Sequence, residues 1–195
     1  MKKIIRFAIL FFLATGCSVF GVRNEKSPKY EVIIKKNNIE LRKYSSYIVA
    51  STQVDGSFKE SQSKAFRILA SYIFGDNEKK SKIAMTAPVI QQPTQTGWEM
   101  SFTIPSKYTQ LEDLPETKDQ RIQFKQIPSR LIAVIQFTGF LDEVKNQNMT
   151  DELKKWISEL GNYSQLSKPM FAGYDPPWTL PFLRRNEIMI ELAPQ

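Results

Sequence analysis

A twenty-residue segment occurs twice in this chain, and this repetition constrains the fold more than any other feature of the sequence. The segment IELRKYSSYIVASTQVDGSF at 39–58 aligns without gaps with IQFKQIPSRLIAVIQFTGFL at 122–141, which lies 83 residues later. Five of the twenty positions are identical, and most apolar positions and the glycine near the end coincide. β-Branched residues are concentrated at 48–54 and 131–137, a pattern that favours strands. We therefore predict two related structural units in one chain.

Each repeat is followed by a helical pattern and then by further strands. The first predicted helix carries apolar residues on one face and ends at Gly75. In the second, apolar residues repeat at helical spacing from Met149 to Leu160, with a start signal at Thr150 and a stop signal at Gly161. Further strands are predicted at 83–90, 99–104, 170–174 and 187–192, and loops at 92–97 and 110–120. Two β-α-β-β units, about 30–110 and about 120–195, predict an α+β fold. We expect a curved antiparallel sheet or distorted β-barrel with two main helices.

The N-terminal residues have the pattern of an export signal. Three basic residues precede an apolar run at 7–14, which is too short to span a bilayer as a stable helix. Small residues then precede Cys17, the one cysteine of the chain, as at the cleavage site of bacterial lipoproteins. We predict a signal peptide at 1–16, a lipidated Cys17 with a polar tether at 17–29, and one domain at 30–195. An ordinary secretory signal and an uncleaved anchor remain the alternatives.

A lipidated Cys17 predicts an exported protein anchored at a membrane. Acyl chains on the cysteine would give stable anchoring. Ser18 follows it, rather than the aspartate that would indicate retention in an inner membrane. We therefore expect an outer-membrane or periplasm-facing lipoprotein.

The composition argues against several classes of function. The chain has no histidine, which is the usual general base and the commonest metal ligand. Its net charge of +7 falls to +4 without the three basic residues of the signal, and the remaining charges are interspersed. A nucleic-acid partner would need a denser basic face. We predict a monomer that is not an enzyme, has no metal site and does not bind nucleic acid.

Near the C-terminus a turn is followed by apolar residues and two arginines. The turn reads AGYDPP at 172–177, Trp178 and Phe182 follow it, and Arg184 and Arg185 come next. Pro and Gly at this density exclude a regular helix or a central strand. A rigid apolar loop beside two arginines suits an apolar ligand that carries acidic groups. Two carboxylates flank the loop, and we interpret them as structural: Asp175 would cap its own turn, and Glu187 would bond an arginine or a backbone amide.

The turn and two further motifs resemble the SOUL heme-binding proteins. These motifs are YDPP at 174–177, RRNE at 184–187 and MTAPV at 85–89, and the resemblance extends over Tyr30–Leu192. It implies the fold expected above and non-catalytic binding of heme or another tetrapyrrole. Because the chain lacks histidine, the resemblance implies that an apolar surface and basic residues bind the tetrapyrrole, without histidine ligation of iron.

Carried over by position, the resemblance implies a binding surface made of the first helix and the C-terminal loop. The predicted site residues are Phe66, Arg67, Leu69, Ala70, Ile73, Tyr174, Trp178, Phe182, Arg184 and Arg185. Arg67 and Arg184 or Arg185 would meet the propionates.

Most of these residues also have a structural interpretation. The helix residues are spaced as core residues, Tyr174 would pack at the turn, and the two arginines would brace the loop through Asp175 or Glu187. Met85 and Tyr174 are the alternatives for an iron ligand.

Two other functions remain open. The same architecture resembles bacterial drug-sensing domains, in which an acidic residue binds cationic ligands, and Glu187 would then be central. The exposed loop would otherwise recognise a protein partner or the membrane itself.

Overall fold

The computed structural model describes residues 27–195, so the predicted signal peptide and Cys17 lie outside the described part. Its helices and strands are β1 (Tyr30–Lys36), β2 (Ile39–Tyr44), β3 (Tyr47–Asp55), α1 (Phe58–Ile73), β4 (Val89–Pro93), β5 (Gly97–Thr103), β6 (Gln123–Ile127), β7 (Arg130–Phe137), α2 (Glu143–Leu160), β8 (Tyr163–Gln165), β9 (Met170–Gly173) and β10 (Asn186–Pro194). Short 3₁₀ turns lie at Leu111–Asp113 and Pro181–Leu183. Within residues 27–195, neither helix is both long and apolar enough to cross a membrane.

The ten strands form one antiparallel sheet in the order β1-β2-β7-β10-β9-β4-β5-β3-β6, with β8 added beside β10. The sheet curls into a half-barrel, and both helices pack against it. The predicted α+β class, with a curved antiparallel sheet and two main helices, is confirmed.

The repeat spacing of the sequence reappears in the strand register. Leu41 of β2 pairs with Ala133 of β7, and Ala50 of β3 pairs with Phe124 of β6. The first strand of each repeat is therefore paired with the other half of the molecule. The pairing of β4 with β9 joins the halves at the centre of the sheet. The two predicted units are thus interlocked, and neither is a closed β-α-β-β module.

The second helix begins earlier than its sequence pattern predicts. Its N-cap is Asp142, whose carboxylate accepts a hydrogen bond of 2.8 Å from the backbone N–H of Lys145. Thr150, the predicted start, lies inside the helix and is buried. The prediction was wrong because the sequence at Thr150 also resembles a helix start, although it lies about two turns after the true N-cap, Asp142. The predicted stop is confirmed, since Gly161 adopts the left-handed conformation with φ of 72°.

The predicted strand at 83–90 is also mostly wrong, since pairing begins only at Val89. Ile83 is buried, and its backbone N–H donates to the Ile73 carbonyl at 2.8 Å. The Thr86 hydroxyl donates to the Thr103 carbonyl, and Pro88 has no N–H to donate. These contacts hold the segment against α1 and β5 without a strand ladder. The predicted loop at 92–97 is correspondingly shorter, because β4 extends to Pro93 and β5 starts at Gly97.

The apolar residues of the described chain form three core clusters. One lies between α1 and the sheet around Leu69 and Phe102, and the second lies between α2 and the sheet around Leu153 and Ile188. The third lies on the opposite face of the sheet around Ile132 and Met189. Because all three clusters lie within residues 27–195, this part of the chain has a core of its own.

Candidate functional site

A cleft of about 650 Å³ opens between α1 and the loop that joins β9 to β10. Its floor is formed by the strands that join the two halves, and it carries Gln91 and Met100. Phe66 and Arg67 line it from α1, and Phe140 lines it from the segment before α2. Ligand sites are typically apolar clefts of this size with a few polar groups, and they prefer boundaries between structural units.

The loop from Tyr174 to Arg185 is held in place by hydrogen bonds to its backbone. Arg184 donates from Nε to the Thr179 carbonyl at 2.8 Å and from Nη2 to the Pro177 carbonyl. Its guanidinium also lies 4.8 Å from the ring centre of Phe140. The amide of Gly139 donates to the Pro181 carbonyl at 2.9 Å. Arg184 thus braces the loop while it lines the cleft, but it does so through backbone carbonyls rather than through Asp175 or Glu187 as predicted.

Glu187 is fully buried between two arginines. Arg42 donates to both of its oxygens at 3.0 Å, and Arg185 donates from Nη2 to Oε1 at 2.6 Å. The Tyr174 hydroxyl donates to Oε2 at 2.7 Å. A second carboxylate, Glu40, accepts from Nε of Arg42 at 2.7 Å. Two cations are therefore matched by two anions, which is the condition for burying charge at low cost. The structural interpretation of Glu187 is confirmed.

The pKa values of Arg42 and of two tyrosines are raised in this buried network. Burial alone would lower the pKa of Arg42, but the hydrogen bond and charge of Glu187 raise it above its usual value. Burial, together with the charge of Glu187, raises the pKa of Tyr174 well above 10. Burial raises the pKa of Tyr44 to about 12. A phenolate ligand for iron is therefore disfavoured at Tyr174, whose ring lies 4.1 Å from the Arg185 guanidinium.

The structure separates the predicted site residues of α1 into two groups. Phe66 and Arg67 are exposed and line the cleft. Leu69, Ala70 and Ile73 are buried in the core between α1 and the sheet. Their predicted contact with a ligand is corrected, because the face on which they lie is covered by the sheet.

The predicted loop residues are also divided. Arg184 lines the cleft, whereas Tyr174 and Arg185 bind Glu187. Asp175 lines the cleft and caps the loop, since its Oδ2 accepts from the Arg185 amide at 2.6 Å. Trp178 and Phe182 are 72% and 68% exposed and lie outside the set of residues that line the cleft.

The alternative iron ligand Met85 is half-buried and packs against the core beside α1. In residues 27–195 the side chains of His, Cys, Asp and Glu form no group of three that could hold a metal ion. The groups that fit a tetrapyrrole here are the aromatic and aliphatic walls of the cleft and the guanidinium groups beside them.

The sequence reasoning missed Arg42, although the repeat carried a signal for it. Arg42 aligns with Lys125, and the two basic residues pair with acidic residues on equivalent strands, Glu187 of β10 and Glu99 of β5. A basic residue at the same position of both repeats indicated a duplicated ion pair. The burial of Gln91 in the cleft floor had no comparable signal, because it depends on the joining of β4 and β9.

A duplicated α+β half-barrel with a cleft where its halves meet is the class of protein that this geometry defines. The model of the SOUL heme-binding protein family matches residues 25–191, and the chain belongs to this family. The family membership predicted from the three motifs is confirmed.

Two curated relatives and one solved structure illustrate the similarity. Heme-binding protein 1 of Xenopus tropicalis is 29% identical over 157 residues, which cover 76% of this chain and 80% of the relative. Heme-binding protein 2 of Homo sapiens is 31% identical over 159 residues, which cover 77% and 76%. The crystal structure of the EcmrR C-terminal domain matches with a TM-score of 0.60 at 15% identity, over 85% of this chain and 99% of that domain. At this identity the last likeness concerns the fold alone.

Proposed function

We propose that this protein binds heme or a related tetrapyrrole without catalysing a reaction, and that it does so at the cell envelope. The observation that carries the proposal is the cleft, which is lined by Phe66 and Phe140 and by the guanidinium groups of Arg67 and Arg184. Membership of a family described as heme-binding supports the same ligand class.

The apolar walls would supply most of the affinity. Phe66 and Phe140 are 37% and 55% exposed, so each has apolar surface that a flat ligand can cover. Burial of apolar area contributes about 25 cal/mol per Å², so covering roughly 200 Å² contributes about 5 kcal/mol. The protein would therefore hold a tetrapyrrole by surface contact even without an axial ligand to iron.

Arg67 is the residue best placed to bind a ligand carboxylate. It is exposed at the cleft, and the hydrogen bond that its Nε donates to the Ser63 carbonyl is long, at 3.3 Å. A guanidinium binds a carboxylate through two parallel hydrogen bonds, which a lysine cannot reproduce. Arg184 adds positive charge, but its donors hold the loop. We assign the propionate contact to Arg67 and loop support to Arg184.

A cationic ligand centred on Glu187 is less compatible with this arrangement. Glu187 has no exposed surface, and both of its oxygens already accept hydrogen bonds from arginine. A cation would have to displace Arg42 or Arg185 from a buried pair, which is costly. An anionic amphiphile in the cleft meets no such cost.

The envelope location forms part of the same proposal. The signal peptide at 1–16 would be removed, Cys17 would be acylated, and residues 18–29 would tether the domain at 30–195 as a monomer. Labelled fatty acid should be incorporated into the full chain in a bacterial host. The Cys17→Ser variant should incorporate none, and equal labelling of both would overturn the anchor.

The ligand is tested by titrating hemin and iron-free protoporphyrin into a soluble form that begins at Ser18. Ligand absorbance and quenching of tryptophan fluorescence should show saturable one-to-one binding of both pigments. Arg67→Ala should weaken both by about tenfold or more, the cost of losing a charge-assisted hydrogen bond.

Lys64→Ala is the matched control, because Lys64 is an exposed cation on the same helix that does not line this cleft. It should bind as the unmodified protein does. The absence of saturable binding, or equal weakening by both substitutions, would overturn the proposed site.

A further inference from the structure

The floor of the cleft contains a buried amide whose oxygen accepts no hydrogen bond. Gln91 is 2% exposed and lines the cleft, and its Oε1 accepts no hydrogen bond from the described residues. Among the buried side-chain atoms of residues 27–195 without a partner, this is the one whose residue lines the cleft. Buried polar groups are nearly always paired in folded proteins. An unpaired amide oxygen at the bottom of a ligand-sized cleft therefore indicates a hydrogen-bond donor of the ligand.

The surroundings of Gln91 define which ligand group would fit. It pairs across the sheet with Met100 on one side and Phe171 on the other, so its neighbours in the register are apolar. An ionised carboxylate has no hydrogen to donate to Oε1 of Gln91, and burying a charge among apolar neighbours is costly. The group must therefore be neutral. A carboxamide offers one donor and one acceptor side by side, and its complement is a second amide in the cis arrangement.

We propose that the cleft selects a linear tetrapyrrole with lactam end rings over a closed porphyrin ring. This inference rests on the proposed tetrapyrrole function and names the ligand within that class. A lactam is a cyclic cis amide, whose N–H donates to Oε1 of Gln91 and whose carbonyl accepts from Nε2. The terminal torsion of glutamine has broad minima, so a turn of the amide brings either atom towards the ligand.

A closed porphyrin cannot satisfy the same amide. The hydrogen-bonding groups on its rim are carboxylates, which Arg67 binds at the side of the cleft. The pyrrole nitrogens lie inside the ring, where an amide that approaches the edge cannot reach them. A bound porphyrin would therefore enclose Gln91 without a partner, whereas an open-chain tetrapyrrole keeps its propionates for Arg67 and adds two hydrogen bonds on the floor.

The inference is tested by comparing biliverdin with hemin and protoporphyrin on the soluble form that begins at Ser18. The unmodified protein should bind biliverdin at least about tenfold more tightly than either porphyrin. Gln91→Leu keeps a side chain of similar size without the amide. It should weaken biliverdin by about tenfold and leave the porphyrins unchanged or tighter.

The matched control is Gln62→Leu, which removes an amide from the α1 side of the same cleft. It should leave the ratio of biliverdin to porphyrin affinity unchanged. In the isotope-labelled protein, biliverdin should shift the side-chain amide resonances of Gln91, and zinc protoporphyrin, a diamagnetic analogue of hemin, should shift them less. Gln91→Leu should unfold at the same temperature as the unmodified protein or above it, because an unpaired polar group has been removed.

The outcomes separate this inference from the function on which it rests. Saturable porphyrin binding with no preference for biliverdin would overturn the lactam contact and leave the tetrapyrrole site in place. The same conclusion would follow if the ratio of biliverdin to porphyrin affinity were equal in Gln91→Leu and the unmodified protein. The absence of binding for all three pigments would overturn both.

Discussion

At the scale of single residues, Glu187 links the loop to the sheet. Its carboxylate joins Arg42 of β2, Arg185 at the end of the loop and Tyr174 at its start. The two ends of the loop are thus fixed by one buried anion. Because the loop also lines the cleft, the geometry of the ligand site depends on a charge pair that the ligand would not contact.

Removing this charge should destabilise the protein strongly. Glu187→Gln leaves Arg42, which is 2% exposed, with one remaining carboxylate, and Arg185 with none in the network. Loss of one partner from a buried pair costs about 3–5 kcal/mol in the free energy of unfolding, to be measured by urea denaturation.

The control is Glu159→Gln, which breaks an exposed ion pair with Lys36 at 3.5 Å. An exposed pair contributes about 0–1 kcal/mol, so this variant should unfold close to the unmodified protein. A similar loss of stability in the two variants would contradict the central role of Glu187.

The same network should make the protein sensitive to alkali. Burial raises the pKa of Tyr44 to about 12, whereas an unfolded tyrosine titrates near 10. Between these values the unfolded chain loses a proton that the folded protein retains, so the free energy of unfolding falls as pH rises. The fall is at most about 1.4 kcal/mol per pH unit for each such tyrosine.

Tyr44→Phe should reduce this alkaline slope. From pH 7 to 9 the free energy of unfolding of the variant should differ from that of the unmodified protein by a constant amount. The variant lacks the Tyr44 hydroxyl, which accepts a hydrogen bond of 3.1 Å from Arg42. Above about pH 10 its stability should fall less steeply. Urea denaturation across pH 7–11.5 measures both ranges, and parallel curves throughout would contradict the raised pKa.

At the scale of the helices and strands, local sequence patterns succeeded where they coincide with burial on one face. Strands β3, β5, β7, β9 and β10 were predicted within two residues of their observed bounds, because β-branched and aromatic residues concentrate there. Strand β1 was not predicted, since its residues are mostly exposed. The helical period of α1 correctly identified an apolar face, but it could not tell whether a ligand or the sheet covers that face.

The start of α2 provides a test at this scale. Asp142→Ala removes the side chain that accepts from the Lys145 amide, and it should cost about 1 kcal/mol in the free energy of unfolding. Asp151→Ala, at an exposed position inside the same helix, should cost less than about 0.5 kcal/mol. The opposite order in thermal or urea unfolding would place the helix start where the sequence pattern predicted it.

At the scale of the whole molecule, the two halves exchange their leading strands. Strand β2 pairs with β7, and β6 pairs with β3, so each half completes the sheet of the other. The cleft lies over the strands that join these halves. Binding and global stability therefore depend on the same interlocked arrangement.

Neither half should fold alone. A fragment of residues 27–118 leaves β3 without β6, and residues 119–195 leave β7 without β2, which exposes unpaired strand edges in both. Each fragment should lack a cooperative thermal transition in circular dichroism, and an equimolar mixture should regain one. A cooperative transition in the first fragment alone would show that the exchange is dispensable.

The sequence by itself determined the features that depend on near neighbours along the chain. These are the duplicated segment, the two helices, the strands that bury one face, the motifs of the family and the lack of histidine. Each follows from residue types at short, regular spacings, because backbone periodicity couples positions two, three or four residues apart.

Only the tertiary structure decided how these parts meet. Arg42 and Glu187 are 145 residues apart in sequence, and their contact depends on the exchange of β2 between halves. The burial of Gln91 beneath a cleft depends on the pairing of β4 with β9, and Leu69 and Ile73 are covered where α1 packs on the sheet. Such contacts join distant segments whose local patterns are compatible with several arrangements, so the packing of the whole sheet selects among them.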